Sequence, residues 1–538
     1  MELIPGIPGH FLELQAQQRA AQTAFTFENW SVGGGPDEVL TYGSLYEHAA
    51  KVAKELMRQG LQPGQPFAIF MRNHPEFLYA ILGGSIAGCP FVPIDPRQKG
   101  EKLRYQLVHA GCRGVVTTTD LLPVLHEQLP HTPEVRFYLA SRRPGGPAAA
   151  GERVLSMQEV LAAPLGDPPP QRVTDPRHPI QIIYTSGTTG DPKGVVAETA
   201  RWAGVGQMIA NIFGYQPTDR LYTGLSLTHG NAQAVTFLAA FYSGIEAVFS
   251  QRFTKSKIWD ICRRYNCTTF SLLGGMMAAI YAEPERPNDA DNPVRFVLSA
   301  GTPRAIWEAF ERRFNVRILE WYGAVEGGFA FKPIGVGPIG SFGQPIPGVM
   351  EMKIVDESDN ECPPGVTGEL ISRVVGTEMR VEYLKNPEAS AAKTRGGWLR
   401  SGDMCHRDAE GWLFFDHRKG SEIRHNGEFI QPDFVQKVIA EIPEVSDVYV
   451  YGIPAASGSP GEKDVVAAIV VHEGVRFDAA AFFRACGERL ERNQVPSWVQ
   501  VLPEIPKTAS EKPQDRFLLD ALRARRGGVY AFDEIGGR

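Results

Sequence analysis

The sequence predicts an α/β protein: a large N-terminal domain of several subdomains, followed by a small, mobile α+β domain. Three observations carry this. The chain has 538 residues, more than one hydrophobic core supports, since cores stop growing at about 250–300 residues. Helix-like and strand-like apolar patterns alternate between Thr41 and Thr118. The texture then changes twice, to Gly/Pro-punctuated strands after Gly323 and to a compact mixed unit from about Arg418.

In order along the chain, Thr41–Gly60 reads as a helix, with apolar residues at helical spacing and Gly60 as its stop. Pro66–Met71 reads as a strand, a helix begins at about Pro75, and Phe91–Ile94 is a buried strand running into a turn at Asp95–Pro96. A further helix leads to the strand Gly114–Thr118. Such βα alternation implies a parallel or mixed sheet covered by helices, and its resumption from Pro179 to about Ile318 implies a second one. Between them Ser141–Pro170, rich in Pro, Gly and Ala, reads as a loop holding one short helix at Met157–Leu161. After Gly323 the pattern is that of a β-rich subdomain. In the last unit, strands are expected at Val448–Gly452 and Asp464–Val471, helices at Pro432–Glu441 and Asp478–Asn493, and a mobile tail at the end. The domain division is accordingly 1–417 and 418–538.

Composition excludes several function classes. A net charge of -6 offers no electrostatic footprint for nucleic acid and no polybasic face for a membrane. The first residues lack the basic start and apolar run of a signal peptide. The most apolar stretch, Tyr79–Ile94, is interrupted by glycines and prolines and falls short of a membrane span. Seven scattered cysteines without a CxxC pair point to neither a disulfide framework nor a zinc site. A cytoplasmic protein is expected, with a monomer and a homodimer both compatible.

The chemistry concentrates at Thr185-Ser186-Gly187-Thr188-Thr189-Gly190-Asp191-Pro192-Lys193-Gly194, which follows an apolar strand end. Glycines let backbone N–H groups turn inward as an anion nest, and hydroxyls and an ammonium add donors for phosphate oxygens. Polar surface turns seldom combine so many such donors. It is not a Walker A loop, because Lys193 is followed by Gly194 and preceded by Pro192.

This segment matches (T/S)SGTTGxPKG at every position, and the chain thereby resembles the adenylate-forming superfamily of acyl-CoA and aryl-CoA synthetases, luciferases and peptide-synthetase adenylation domains. Later motifs follow in the family's order, from about residue 20 to 525. Leu225-Ser226-Leu227-Thr228-His229 resembles the PLFH motif beside the acid tunnel, with Ser226 and Thr228 replacing Pro and an aromatic. The resemblance thus implies that His229 lines the acid site. Ser299-Ala300-Gly301-Thr302-Pro303 resembles the loop that packs on adenine. Trp321-Tyr322-Gly323-Ala324-Val325-Glu326 resembles YGxTE, which implies that Tyr322 stacks on adenine and Glu326, with Thr185, helps hold Mg²⁺. The family's phosphate-touching Thr is Val325 here. Asp403, in Trp398–Asp403, matches the ribose carboxylate, and Arg418 the ribose-contacting arginine. Asn426 and Gly427 match a face presented for thioester formation, and Gly420 stands at the hinge. Pro506–Lys512 resembles PKTxxGK, with Lys512 as the lysine between carboxylate and α-phosphate and Glu511 in place of Gly.

The resemblance implies ATP-dependent activation of a carboxylic acid through acyl-AMP, followed by thioester formation with CoA. Texture such as Asn231-Ala232-Gln233 after the histidine is similar to bacterial acyl-CoA and carnitine-type CoA ligases. Two other readings stay open on the residues alone: an acyl-AMP ligase loading a carrier protein, and a non-catalytic nucleotide binder, suggested by Val325, Gly420 and Glu511. The acid is not legible. By position, pocket candidates are His229, Asn231, Leu273–Met276, Gly301 and Tyr322–Ala324. The small residues Gly274, Gly275 and Ala324 are expected to leave a roomy tunnel for a bulky or long acid.

Overall fold

The computed structural model describes residues 3–33, 35–185, 192–419, 423–425, 428–455, 463–508, 513–524 and 528–535. The chain packs as two units. One comprises residues 1–271, 292–297 and 380–392, the other 272–291, 298–379 and 393–538. The architecture is mixed α/β with several sheets, a large N-terminal domain and a small C-terminal one.

The first unit holds an eight-stranded sheet in the spatial order Glu382–Tyr383, Lys193–Glu198, Pro179–Thr185, Phe91–Pro93, Phe67–Phe70, Gly114–Thr118, Phe137–Ser141, Val154–Ser156. From Pro179–Thr185 onward its neighbours are parallel, and Lys193–Glu198 and Glu382–Tyr383 add two antiparallel strands at one edge. Buried strands such as Phe67–Phe70 and Gly114–Thr118 are covered on every residue, which is why Phe67–Phe70 reads as an unbroken apolar run. A second set runs parallel at Arg220–Thr223, Glu246–Ser250 and Thr23–Glu28, with Glu38–Thr41 antiparallel at its edge. The expected helix at Thr41–Gly60 is Tyr42–Arg58, started by a capping box in which Thr41 and Ser44 satisfy each other's backbone N–H. Within the stretch expected to be loop the helix is Met157–Ala162, and Val154–Ser156 is an added edge strand.

The second unit contains the expected β-rich element, an antiparallel sheet of Met350–Val355, Gly368–Val374, Leu399–Arg407 and Leu413–Arg418. Toward the C-terminus, Val445–Pro454, Lys463–Val471, Trp498–Val501 and Gly528–Ala531 form one sheet. Val465, Ala467 and Ile469 pack on Val435, Ile439, Phe482 and Phe483, while Val466 and Ala468 face Tyr451 and Leu518. The two faces together explain the uninterrupted run Val465–Val471. The expected mobile tail is corrected here. Gly528–Ala531 pairs antiparallel with Trp498–Val501, and Tyr530 and Phe532 lie on Phe477 and Phe483, so apolar contact holds the strand to an otherwise open sheet edge.

All seven cysteines are free and buried. Among the described residues no helix is long and apolar enough to cross a membrane.

Candidate active site

In the first unit, Pro179–Thr185 and Lys193–Glu198 form a hairpin in which Thr185 faces Lys193 and Tyr184 faces Gly194. The facing pair Thr185 and Lys193 are described residues of the phosphate-loop motif at the ends of these two strands. Thr185 and Lys193 are described and half-buried; Ser186, Gly187, Thr188, Thr189 and Gly190 lie outside the described residues. Gly194 has a steric reason: a Cβ there would lie 3.0 Å from Ile182 Cγ2 and 3.2 Å from the Tyr184 ring. The Lys193 ammonium stands 5.4 Å above the Tyr383 ring, on the neighbouring strand. Two further side chains grip the stems. Tyr105 donates to the Pro192 carbonyl at 3.3 Å, and His109 Nδ1 lies 2.7 Å from the Tyr184 hydroxyl. Tyr383, Tyr105 and His109 carry no local motif, so sequence reading missed them.

The Leu225–His229 segment is shaped from beneath by buried amides. Asn73 accepts from the Leu227 N–H at 2.8 Å and donates to the Leu225 and Ser250 carbonyls. Gln233 donates to the Leu227 carbonyl at 2.8 Å while its Oε1 accepts from Gln181 and Trp202. The departures from the motif have a role of their own, because Ser226 and Thr228 hydroxyls lie 2.8 Å apart and Ser226 accepts from the Thr228 N–H. His229 is half-buried and its Nδ1 accepts from the Asn231 N–H at 3.3 Å. Asn231 itself is only 4% exposed, and neither polar atom of its carboxamide has a partner among the described residues. A π-helix, Ala232–Leu238, follows directly, a rare form that is frequent at functional sites.

In the second unit, the loop after Phe296–Ala300 turns at Gly301, whose φ is 83°. Its anchor is Glu320, fully buried, which accepts from the Gly301 N–H at 2.6 Å and the Thr302 N–H at 3.2 Å. Thr302 Oγ1 lies 2.5 Å from Glu320 Oε2. Burial pushes the Glu320 carboxyl up to about 7, against the opposing pull of Thr302, the Gly301 amide and Lys332. Sequence reading missed Glu320, although it sits two residues before Tyr322. Pro303 closes this loop, half-buried. The roomy-tunnel expectation for Gly274 is corrected: a Cβ at Gly274 would lie 1.9 Å from the Gly301 carbonyl oxygen, so the glycine is there for close backbone packing. Gly275 is exposed.

Arg317–Ala324 and Gly327–Lys332 form a second hairpin, with Val325 and Glu326 at its turn. Gly323 and Ala324 are exposed, Tyr322 is half-buried and Glu326 is buried. Tyr322 Oη donates to Asp403 Oδ2 at 2.5 Å, and its ring lies 4.8 Å from that of Phe342. Burial first, and then the Asp403 carboxylate, hold the phenol well above its ordinary range, so it remains a donor. Asp403 and Arg418 are directly opposed across adjacent strands, with Arg418 Nη1 3.1 Å from Asp403 Oδ1. Asp403 is 4% exposed, and its N–H donates to Ser401 Oγ at 2.9 Å. Lys393, also missed by sequence reading, donates to the Ser401 carbonyl at 3.2 Å. Burial lowers its pKa, opposed by the nearby Glu326 carboxylate.

On either side of the C-terminal lysine motif, Lys507 and Pro513 are joined by an antiparallel bridge, and Gln514 donates to the Lys507 carbonyl at 3.0 Å. Lys507 pairs with Asp447. Lys512 and Glu511 lie outside the described residues, as do Gly420, Asn426 and Gly427. The structure therefore brings Tyr322, Asp403 and Arg418 together, sets Gly301 and Thr302 on Glu320, and places Thr185 and Lys193 across one hairpin. Among the described residues no three His, Cys, Asp or Glu side chains stand together as a metal-binding group. A single buried carboxylate such as Glu326 fits a hard cation whose remaining ligands are phosphate oxygens and water.

Residues 12–379 match the model of the AMP-binding enzyme family, and residues 435–512 that of the AMP-binding enzyme C-terminal domain. The chain is 29% identical to a medium/long-chain-fatty-acid–CoA ligase of Mycobacterium marinum, covering 90% of this chain and 92% of the relative. It is 27% identical to a crotonobetaine/carnitine–CoA ligase of Citrobacter koseri, covering 91% and 94%. Among solved structures, the anthranilate CoA ligase AuaEII in complex with anthranoyl-AMP superposes with a TM-score of 0.83 at 22% identity, over 98% of each chain.

Proposed function

Because this chain belongs to the AMP-binding enzyme family, we propose that the side chains described above divide between ATP binding, acid activation and thioester formation as follows. The enzyme is an acid–thiol ligase. A carboxylate oxygen attacks the α-phosphorus of ATP, the bond to the β-phosphate oxygen breaks, and acyl-AMP and pyrophosphate result. The CoA thiol, losing its proton, then attacks the acyl carbon and AMP leaves. The first step brings two anions together, so the site must hold them in line and screen their charge.

In our reading, Thr185, Lys193 and the intervening loop cradle the β- and γ-phosphates. Gly301, Thr302 and Pro303 line the adenine, with Tyr322 and Gly323 beside it. Asp403 accepts from the ribose hydroxyls, oriented by Tyr322 and supported by Arg418. Lys512 neutralises carboxylate and α-phosphate together, and His229 lines the acid site. Glu326, with Thr185, would hold Mg²⁺, which neutralises phosphate charge when bound. Lys393, which interacts electrostatically with Glu326 and Asp403, adds a cation to the same site. We further propose a domain division at 1–417 and 418–538, with rotation at Lys419–Gly420 withdrawing Lys512 and bringing Asn426 and Gly427 to the CoA step. Cytoplasmic location, absence of a nucleic-acid partner and a monomeric or homodimeric state belong to the same reading.

The observation that carries it is the buried Asp403, gripped by Tyr322 on one oxygen and faced by Arg418 at the other. The test is acid-dependent exchange of pyrophosphate into ATP across a broad acid panel, followed by acyl-CoA formation on adding CoA. Absence of exchange with every acid would leave only a nucleotide binder. Exchange that stops at acyl-AMP with CoA present would favour a carrier-loading enzyme.

A further inference from the structure

Outside the motifs, the helix Gly100–Ala110 borders a cavity of about 540 Å³ whose walls include Glu101, Arg104, Tyr105, His109, His131 and Lys385. Two cationic side chains and two imidazoles converge here against one carboxylate, Glu101, which pairs with Arg104 at 2.6 Å. Tyr105 and the exposed Val108 supply an apolar wall. Lys385 is a non-glycine residue at φ 55°, in the left-handed region where a side chain is strained. It is held there by bonds on either side: Leu384 N–H to the Gly194 carbonyl and Asn386 N–H to the Tyr383 carbonyl. Its ammonium donates to the His109 carbonyl at 2.7 Å.

These walls are fastened to the phosphate hairpin. Tyr105 holds Pro192, His109 holds Tyr184, and the two rings stack at 5.0 Å. Lys385 follows Tyr383, the residue beneath Lys193, by two positions. A ligand that drew Arg104, His131 and Lys385 together would therefore pull on both stems of the loop at once.

We propose that this cavity is a second, regulatory anion site, taking a phosphate monoester on a flat or short apolar body, and that its occupancy changes the affinity for ATP through Tyr105 and His109. The coupling, though not the binding, rests on the reading that Thr185–Lys193 holds the ATP phosphates. A doubly charged phosphate, with several acceptor oxygens, suits the Arg104 and Lys385 cations around one recess better than a single carboxylate does.

The probe is phenyl phosphate, titrated by calorimetry into the full chain without ATP, and then into the pyrophosphate-release assay. Wild type should bind one equivalent and shift its KM for ATP about threefold or more at saturation. The double variant R104Q/H131A, outside the substrate site, should keep its turnover without the probe but lose about tenfold or more in probe affinity. Tyr184→Phe should bind the probe as wild type does and lose the shift in KM. The proposal is overturned if wild type binds no probe, or if the double variant binds it equally well, since the probe would then be entering the ATP site. It is also overturned if Tyr184→Phe keeps the full shift. A failure of the ATP reading itself would show separately, as absent pyrophosphate exchange with calorimetric binding intact.

Discussion

Tyr322 donates its phenolic hydroxyl to Asp403 Oδ2 at 2.5 Å, joining a hairpin end to a strand 81 residues further on. In its proposed role as ribose ligand, the carboxylate is thereby fixed before any nucleotide arrives, and Arg418 faces its other oxygen. Preorganisation of this kind reduces what binding must spend on ordering the site. Asp403→Asn should lower kcat/KM for ATP by about 10- to 100-fold, the worth of hydrogen bonds to a charged group. Tyr322→Phe should cost about five- to tenfold. Steady-state kinetics with ATP varied and the acid saturating checks both.

Glu320 gives a pH signature. Its folded-state pKa lies above its ordinary value of 4.5, at about 7, because of burial. Between those values the native state binds more protons than the unfolded one, so stability falls as pH rises from about 4.5 to 7 and levels off above. At 1.36 kcal/mol per unit the span is at most about 3 kcal/mol. Urea denaturation at intervals from pH 5 to 8 should show this decline in wild type, and Glu320→Gln should flatten it. An equal decline in the variant would mean that another group is responsible.

Adjacent glycines should behave in opposite ways. Gly274→Ala drives a Cβ into the Gly301 carbonyl, which is backbone and cannot swing aside. A loss of about 2 kcal/mol or more is expected, together with weaker ATP binding as the adenine loop shifts. At Gly275 the nearest atom to an added Cβ is Lys507 Nζ, 4.0 Å away, so Gly275→Ala should stay within about 0.5 kcal/mol. Melting temperatures and KM for ATP separate the pair.

For Lys512→Ala, adenylation measured by pyrophosphate exchange should fall by about 10³-fold or more. Thioester formation from supplied acyl-AMP should remain largely intact. Equal loss in both half-reactions would contradict domain rotation.

Removing residues 528–538 should uncover the strand Trp498–Val501 and the rings of Phe477 and Phe483. A cost on the order of 2–4 kcal/mol follows from the lost apolar contact. Faster proteolysis of the C-terminal region and concentration-dependent association through the opened edge are the measurements. An unchanged proteolysis rate would show the strand to be dispensable.

The sequence by itself determined the α/β class, the order of the elements and the nucleotide chemistry. Helix and strand periodicities are local, as with Tyr42–Arg58 and its Thr41 cap, and a phosphate loop is written in consecutive residues. Asp403, Arg418 and Glu326 were legible as candidates for the same reason, each lying within a short motif. What only the tertiary structure decided is how distant residues meet. Glu320 anchors Gly301 and Thr302, Asn73 and Gln233 shape the turn before His229, and Tyr383 lies under Lys193. It also decided that Gly274 packs backbone against backbone and that Gly528–Ala531 pairs as a strand. Buried polar groups and close approaches depend on what stands opposite them in space, and no local pattern records that neighbour.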